Sequence, residues 1–248
     1  MHNPSLVIKI GGNELAADGF ISKLTETIKV QQEEFACIVV HGGGRAIDDL
    51  MDNLSIEPQY HNGQRITDEK TLEIAEMVLS GNINKTLVFE LCLVGLDAIG
   101  VSGIDRGLLQ VEPWGGNMDL VGRIRKVRKE VILEYCKNNI VPVISPISGG
   151  ETGKFNVNAD HAAGKIAGAI KSEKIVFISN VPGVLKNDQI IPELTLDEVE
   201  EMIKNNIIVG GMIPKVRAAL DALKEGTRKA MITNLAGFIS QSGTTITI

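Results

Sequence analysis

The sequence has no excess of positive charge: 25 Lys and Arg stand against 31 Asp and Glu, a formal charge of −6 over 248 residues. That balance argues against a general nucleic-acid binder, although it leaves room for a local basic site. No apolar stretch approaches the roughly 18 to 20 residues of a membrane span, so no contact with a membrane is expected. The N-terminus has neither a basic region nor an apolar core of the signal-peptide kind. Asn3-Pro4-Ser5 leads directly into a short strand pattern, and the chain reads as cytoplasmic. Cysteine is scarce. Cys37, Cys92 and Cys136 are odd in number, lack CxxC spacing and lie in apolar runs, so they read as small core residues. His2, His41, His61 and His161 form no metal-ligand spacing, and no dedicated metal site is expected. A dinucleotide fingerprint GxGxxG and a GxxxxGK[ST] phosphate loop are also missing.

Two similar elements stand out against these absences. Leu6-Val7-Ile8-Lys9-Ile10-Gly11-Gly12 and Ile38-Val39-Val40-His41-Gly42-Gly43-Gly44 each run an apolar, β-rich segment into consecutive glycines, and a helical pattern follows each. Turns without Cβ atoms let backbone N–H groups approach an anion, and the following helix adds its positive end. Two such cradles suit an enzyme that holds two negatively charged reactants side by side. A tight turn is the simpler reading of either glycine run alone.

Elsewhere short apolar strands alternate with helix-period segments, the pattern of a mostly parallel sheet covered on both faces. Strands are expected at Asp97–Val101, Ile140–Ser145, Lys174–Ser179 and Ala230–Asn234. Helices are expected at Leu72–Leu79, Asn84–Val94, Val131–Asn138, Ala159–Ala169 and Leu196–Lys204. Thr195 and Glu198 form a capping box, and Pro214 suits the first residue of a helix reaching about Lys224. Gln110–Lys126 reads as a hairpin or extended insertion turning at Gly115-Gly116-Asn117. Ser148–Asn158 reads as a junction between an N-terminal lobe, 1–150, and a C-terminal lobe, 151–248.

Five groups of residues could carry chemistry, each beside a plainer explanation. Lys9, in an apolar strand, is costly unless it faces a partner or a site, or snorkels from an edge. Asn156, Asn158 and Asp160 share one face of an extended run, or cap the alanine-rich helix that follows. Lys215, in the first turn of a helix, opposes the helix dipole and suits an anion, unless it is simply exposed. Arg65, just before a helix, could fork onto a carboxylate or lie on the surface. The two glycine runs complete the set.

Taken together these residues resemble the amino-acid kinase family, along nearly the whole chain. The matching stretches are Val7–Gly12, Val40–Gly44, Gly63–Asp68, Glu76–Lys85, Asn156–Asp160, Ser179–Leu185 and Gly210–Val216. The stretch from Gly63 to Lys85 favours the branch acting on N-acetyl-L-glutamate over aspartate, carbamate or nucleoside-monophosphate kinases. The resemblance implies an α/β fold, a three-layer αβα sandwich with a central, mainly parallel sheet. It implies transfer of phosphate from ATP to N-acetyl-L-glutamate, giving N-acetyl-L-glutamyl 5-phosphate on the way to arginine. The N-terminal lobe would hold the amino-acid substrate and the homodimer contact, and the C-terminal lobe ATP. Lys9, Lys215 and Asp160 would be catalytic, with Asp160 holding both lysines. Gly43, Gly44, Arg65, Asn156 and Asn158 would bind substrate. Gly11, Gly12, Asn180, Val181, Pro182, Gly183, Val184, Leu185, Ile207, Ile208 and Val209 would face phosphate and nucleotide. Mg²⁺ would be held mainly by ATP phosphates.

Some residues depart from the family pattern. Asn180 stands where relatives commonly carry Asp. Asn13-Glu14 after the first cradle and Ile104-Asp105-Arg106 are unusual, and Arg106 is expected to face solvent. Only eight residues precede Lys9, so a homodimer without strong arginine inhibition is expected. Two rivals remain. One is a kinase for glutamate or aminoadipate linked to an acidic carrier protein, which the cluster Arg123, Arg125, Lys126, Arg128 and Lys129 could attract unless it is a solvated face. The other is a non-catalytic amino-acid sensor on the same fold, against which the retention of Lys9, Asp160 and Lys215 speaks.

Overall fold

In a computed structural model, residues 3–61 and 64–248 are described. The central sheet is built from β1 (Ser5–Ile10), β2 (Ala36–His41), β3 (Ala98–Ser102), β4 (Val141–Ser145), β5 (Lys174–Ile178), β6 (Glu193–Thr195), β7 (Lys229–Thr233) and β8 (Thr244–Thr247). Their order is β6-β8-β7-β5-β1-β2-β4-β3. The run from β7 to β3 is parallel throughout, while β8 pairs antiparallel with β7 and parallel with β6. This is the expected mainly parallel sheet, with β1 and β2 buried along almost their whole length.

Side chains alternate across a strand, so each strand feeds both covering layers. On one face Val7, Ile38, Ile175 and Phe177 meet helices α5 (Lys129–Lys137), α6 (Ala159–Ile170), α7 (Leu196–Lys204) and α8 (Met212–Lys224). On the other, Leu6, Ile8, Val39 and Ile178 meet α1 (Phe20–Gln31), α4 (Asn84–Leu93) and α9 (Leu235–Ser240). Helices α2 (Gly44–Asn53) and α3 (Glu69–Glu76) form a smaller third cluster through Ile47, Met51, Leu72 and Ile74. The αβα sandwich is therefore present.

Several local expectations need correction. The helices expected at Leu72–Leu79 and Asn84–Val94 are one continuous run, because a π-helical segment, Met77–Ile83, joins α3 to α4. A residue inserted into the helical repeat shifts the phase of the buried stripe, which a fixed 3.6-residue template reads as a break. Pro214 is the third residue of α8, not the first. Proline is tolerated there because the N–H groups of the first turn have no intrahelical acceptor. Within the expected junction Ser148–Asn158 the chain is ordered, as Ile147–Gly150 and Gly153–Asn156 pair as a hairpin. That hairpin extends the Leu109–Pro113 and Gly122–Val127 ribbon into a second, four-stranded sheet. Cys37 is buried and Cys136 half-buried, but Cys92 is exposed on α4 and is no core residue. The capping box of Thr195 and Glu198 forms as expected.

Candidate active site

Strand alternation places Lys9 on the same face of β1 as Val7, toward the start of α6. Because β1 lies between β2 and β5, an edge-strand lysine is ruled out. Lys9 is 4% exposed, and its Nζ lies 2.8 Å from Oδ1 of Asp160, itself 5% exposed in the first turn of α6. From the start of α8, Lys215 brings its Nζ to 3.5 Å from Oδ2 of the same carboxylate. One buried carboxylate thus holds two lysines, as expected from the resemblance.

Burial alone would raise the Asp160 carboxyl, but the charges of Lys9 and Lys215 outweigh it and hold the group below the usual carboxylate range. Burial lowers Lys215, and the Asp160 charge offsets part of that. A depressed carboxyl contributes stability that is complete above its unfolded value and is lost as pH falls through its folded value. Asp160→Asn is therefore expected to lower the melting temperature at pH 7, with the difference shrinking in strongly acid solution where wild-type Asp160 is itself protonated. Thermal melts at both pH values check this; a difference independent of pH would deny the carboxylate its role.

The two glycine turns lie against each other. Gly42 N–H donates to Ile10 O at 2.9 Å. A Cβ on Gly12 would come within 2.6 Å of Gly44 N and 2.7 Å of Gly43 Cα. Leu79 and Ile83 of the π-helical segment close over Gly43, where a Cβ would meet them at 2.7 and 2.4 Å. Behind this turn His41 is fully buried, and burial pushes its imidazole down to about 4, so it is neutral near pH 7. With Nδ1–H donating to Gly42 O at 3.2 Å, Nε2 accepts from the Asn84 amide at 3.3 Å. Asn84 also donates to Val143 O at 2.8 Å.

Two cavities flank this centre. The first is lined by Gly42, Gly43, Gly44, Arg65 and Asn156 among others, and the second by Gly11, Asn180, Val181, Gly211 and Lys215 among others. Lys9, Gly12, Gly44, Asn158 and Asp160 line both. Lys9 and Asp160 therefore stand in the wall between two adjoining sites, with Lys215 on the side of the second, the arrangement needed for a group to pass from one ligand to another.

Asn158 resolves both of its readings at once: its side chain caps α6 by accepting from Asp160 N–H and His161 N–H, and it lines both cavities. Asn156 donates to Thr67 Oγ1 at 3.1 Å at the edge of the first cavity. Arg65 is buried, not a surface arginine. Its guanidinium lies 2.7 Å from Asp48 Oδ1, donates to Gly44 O and Tyr60 Oη, and sits over the Tyr60 ring. The preceding Asn62 and Gly63 lie outside the described residues.

The remaining nucleotide candidates divide. Val184 and Ile208 are core side chains. Val184 N–H donates to Thr244 Oγ1, and Gly183 packs against that threonine. Leu185 starts a short ribbon with Gln189–Ile190. Ile207 and Val209 are exposed, and with Pro182 they line neither cavity.

Tyr60, Asp48, His41, Asn84 and Leu79 were not anticipated as site residues. Tyr60 bonds both oxygens of Asp48 at 2.7 and 2.8 Å, and burial together with that bond pushes its phenol up to about 12. The spacing of Asp48 four residues after Gly44 puts it one turn into α2, on the side facing Arg65, but nothing in a single sequence marks that pairing. Arg106 faces solvent and pairs with Glu134. Arg123 and Arg125 pair with Glu112 on the surface of the second sheet, the solvated face that was the alternative to a carrier contact.

The chain belongs to the amino acid kinase family, whose family model matches residues 4–234. Among curated proteins it is 46% identical over 246 residues to a protein of Roseiflexus castenholzii named acetylglutamate kinase, covering 98% of this chain and 94% of that one. A protein of the same name from Methanopyrus kandleri is 39% identical over 97% of this chain and 99% of its own. Among solved structures, smu.665 of Streptococcus mutans is 29% identical, with a TM-score of 0.87 over 98% of both chains. Carbamate kinase of Giardia, at 16% identity and a TM-score of 0.75 over 98% of both chains, shows the shared fold.

Proposed function

We propose that the chain transfers the γ-phosphoryl group of ATP to the side-chain carboxylate of N-acetyl-L-glutamate, giving ADP and N-acetyl-L-glutamyl 5-phosphate, a cytoplasmic step of arginine biosynthesis. The observation that carries this reading is the Lys9–Asp160 pair in the wall shared by two cavities, with Lys215 held to the same carboxylate from the second. The named relatives supply the substrate.

The chemistry asks little beyond positioning and charge. A glutamate-type carboxylate has a reference pKa near 4.3, so it is ionised and needs no general base. The obstacle is bringing it against a triphosphate, anion to anion, which preorganised cations and N–H groups relieve. In this reading the first cavity takes the acyl amino acid, held by Arg65, Asn156 and Asn158 and by the N–H groups of Gly43 and Gly44. The second takes the phosphates, between Gly11, Gly12 and Lys215. Lys9 neutralises the transferring group and Lys215 the leaving side. Asn180–Leu185 and Ile207–Val209 would border the rest of the nucleotide. Mg²⁺ accompanies ATP, held mainly through its phosphates, and supplies further charge neutralisation.

The lobe division, 1–150 for the amino acid and 151–248 for ATP, is supported by the strand order. β5 to β8 lie together on one side of β1, and β2, β3 and β4 on the other. The homodimer is supported by the outer face of α4, where Phe89 is 60% and Leu93 64% exposed. Light scattering is expected to give twice the 26.7 kDa chain mass; a monomer or hexamer would deny it.

Arg65→Ala is expected to raise KM for the acyl amino acid by about tenfold or more with a smaller change in kcat, the signature of lost substrate binding. An unchanged KM would remove Arg65 from the substrate site. The reading as a whole is tested by ADP formation from Mg-ATP with N-acetyl-L-glutamate, free glutamate, aspartate and N-acetyl-aminoadipate, trapping acyl phosphate with hydroxylamine. Preference for N-acetyl-L-glutamate supports it, and turnover with none of the four would overturn it.

A further inference from the structure

The second cavity holds a carboxylate that the reaction above does not use. Glu14 opens the short helical turn Glu14–Ala16 just after the first glycine pair. Its side chain folds back over Gly11, so closely that a Cβ there would lie 1.9 Å from Oε2. Among the described residues Oε2 is buried and has no hydrogen-bond partner, although its charge reaches Lys215 and raises that ammonium. It shares the cavity with Lys9, Lys215 and Asp160, yet both lysines go to Asp160.

This placement is costly in two ways. A buried carboxylate oxygen without a donor lacks the solvation it had in water. A negative charge beside a phosphate cradle also repels the phosphates that the cradle serves. Asn180 in the same cavity is neutral and does not offset the charge. A divalent cation between carboxylate and phosphate removes both, and Mg²⁺ is commonly bound by one or two carboxylates together with substrate phosphates. Asp160 is already committed to two lysines, so Glu14 is the carboxylate of this cavity left for a metal.

We propose that Glu14 is the chain's own ligand to the magnesium ion of Mg-ATP, and that the same charge rejects ATP carrying no metal. The proposal rests on the kinase reading and adds to it a residue that makes nucleotide binding depend on the metal. A side chain at position 11 would displace the carboxylate from this place.

The test is a binding cycle requiring no turnover. A β,γ-imido analogue of ATP is titrated calorimetrically into wild type, Glu14→Gln and Glu14→Ala, each with saturating Mg²⁺ and with EDTA. Wild type is expected to bind the magnesium complex at least about tenfold more tightly than the bare analogue. In both variants that ratio should fall about tenfold, largely because the metal-free analogue binds better, which is the coupling expected of a direct contact. Mn²⁺ affinity for the protein–analogue complex, read by electron paramagnetic resonance, should fall in parallel. A wild-type ratio near one overturns the proposal without any variant, as does an equal ratio in wild type and the variants. Failure of wild type to bind either form overturns the kinase reading itself, and is thereby distinct from failure of the Glu14 proposal.

Discussion

Lys9→Ala is expected to lower kcat by ~10²-fold or more, with smaller changes in the affinity for either substrate. The size follows from where the charge sits. Nζ is buried, so its field reaches a reacting group with little screening by water, and it lies in the wall common to both cavities. A contact that strengthens as charge builds on the transferring phosphoryl group appears in kcat, whereas one made equally to bound substrate appears in KM. Lys215→Ala should cost a similar factor from the leaving side. The double variant is expected to lose less than the product of the two, because both lysines act on one group and share one carboxylate.

The same substitution has a structural consequence that must be separated from the catalytic one. Removing one partner of a buried ion pair costs on the order of 3–5 kcal/mol, because a charge is left without its counter-ion. Here the loss is partial, since Lys215 still faces Asp160 at 3.5 Å. Steady-state rates should therefore be measured below the melting transition of each variant. Near-normal kcat in a folded Lys9→Ala protein would take Lys9 out of the mechanism.

Much of this arrangement is legible in the residues themselves, and the reason is local. β1 and β2 are nearly continuous apolar segments followed by glycine, the pattern favoured in a strand buried on both faces. Lys9 is conspicuous because it departs from that pattern, whereas its pairing with Asp160 is implied only by the resemblance to the family. Asn158 is readable as a cap because its neighbours begin an alanine-rich helix. What escapes is non-local or out of phase. The π-helical segment at Met77–Ile83 shifts the buried stripe by a fraction of a turn, so a helical template splits the run in two. Arg65 is identifiable, but its partner Asp48 and the Tyr60 ring reach it only when α2 folds against the short strand that carries Arg65. Val184 and Ile208 sit in matched nucleotide stretches yet point into the core, since a motif conveys position along the chain and not the direction of each side chain. Cys92 lies in an apolar segment that the fold leaves on the outside of α4.

Gly12→Ala is expected to be the most damaging single methyl group that could be added to the site. Its Cβ would meet main-chain atoms: Gly44 N at 2.6 Å, Gly43 Cα at 2.7 Å and Gly43 C at 2.8 Å. At Gly43 the obstruction is the ends of the Leu79 and Ile83 side chains, which can turn aside. Backbone cannot, and here it is anchored from behind by the Gly42 N–H bond to Ile10 O and by the buried His41. The two turns would have to separate. Overpacking of this kind costs roughly 1–3 kcal/mol, and the greater loss is geometric, because the turns set the distance between the two bound anions. An error approaching 1 Å in the placement of reacting groups costs about 10²-fold in rate. The expected result is a folded protein with a lowered melting temperature and kcat reduced by about two orders of magnitude, read by thermal melts and steady-state kinetics. Gly44→Ala serves as the comparison for stability. Among the described residues a Cβ there has nothing within 4 Å and should leave the melting temperature close to wild type. Its effect on rate is separate, because Gly44 lines both cavities. Equal losses of melting temperature from the two substitutions would show that contact between the turns does not hold them in place.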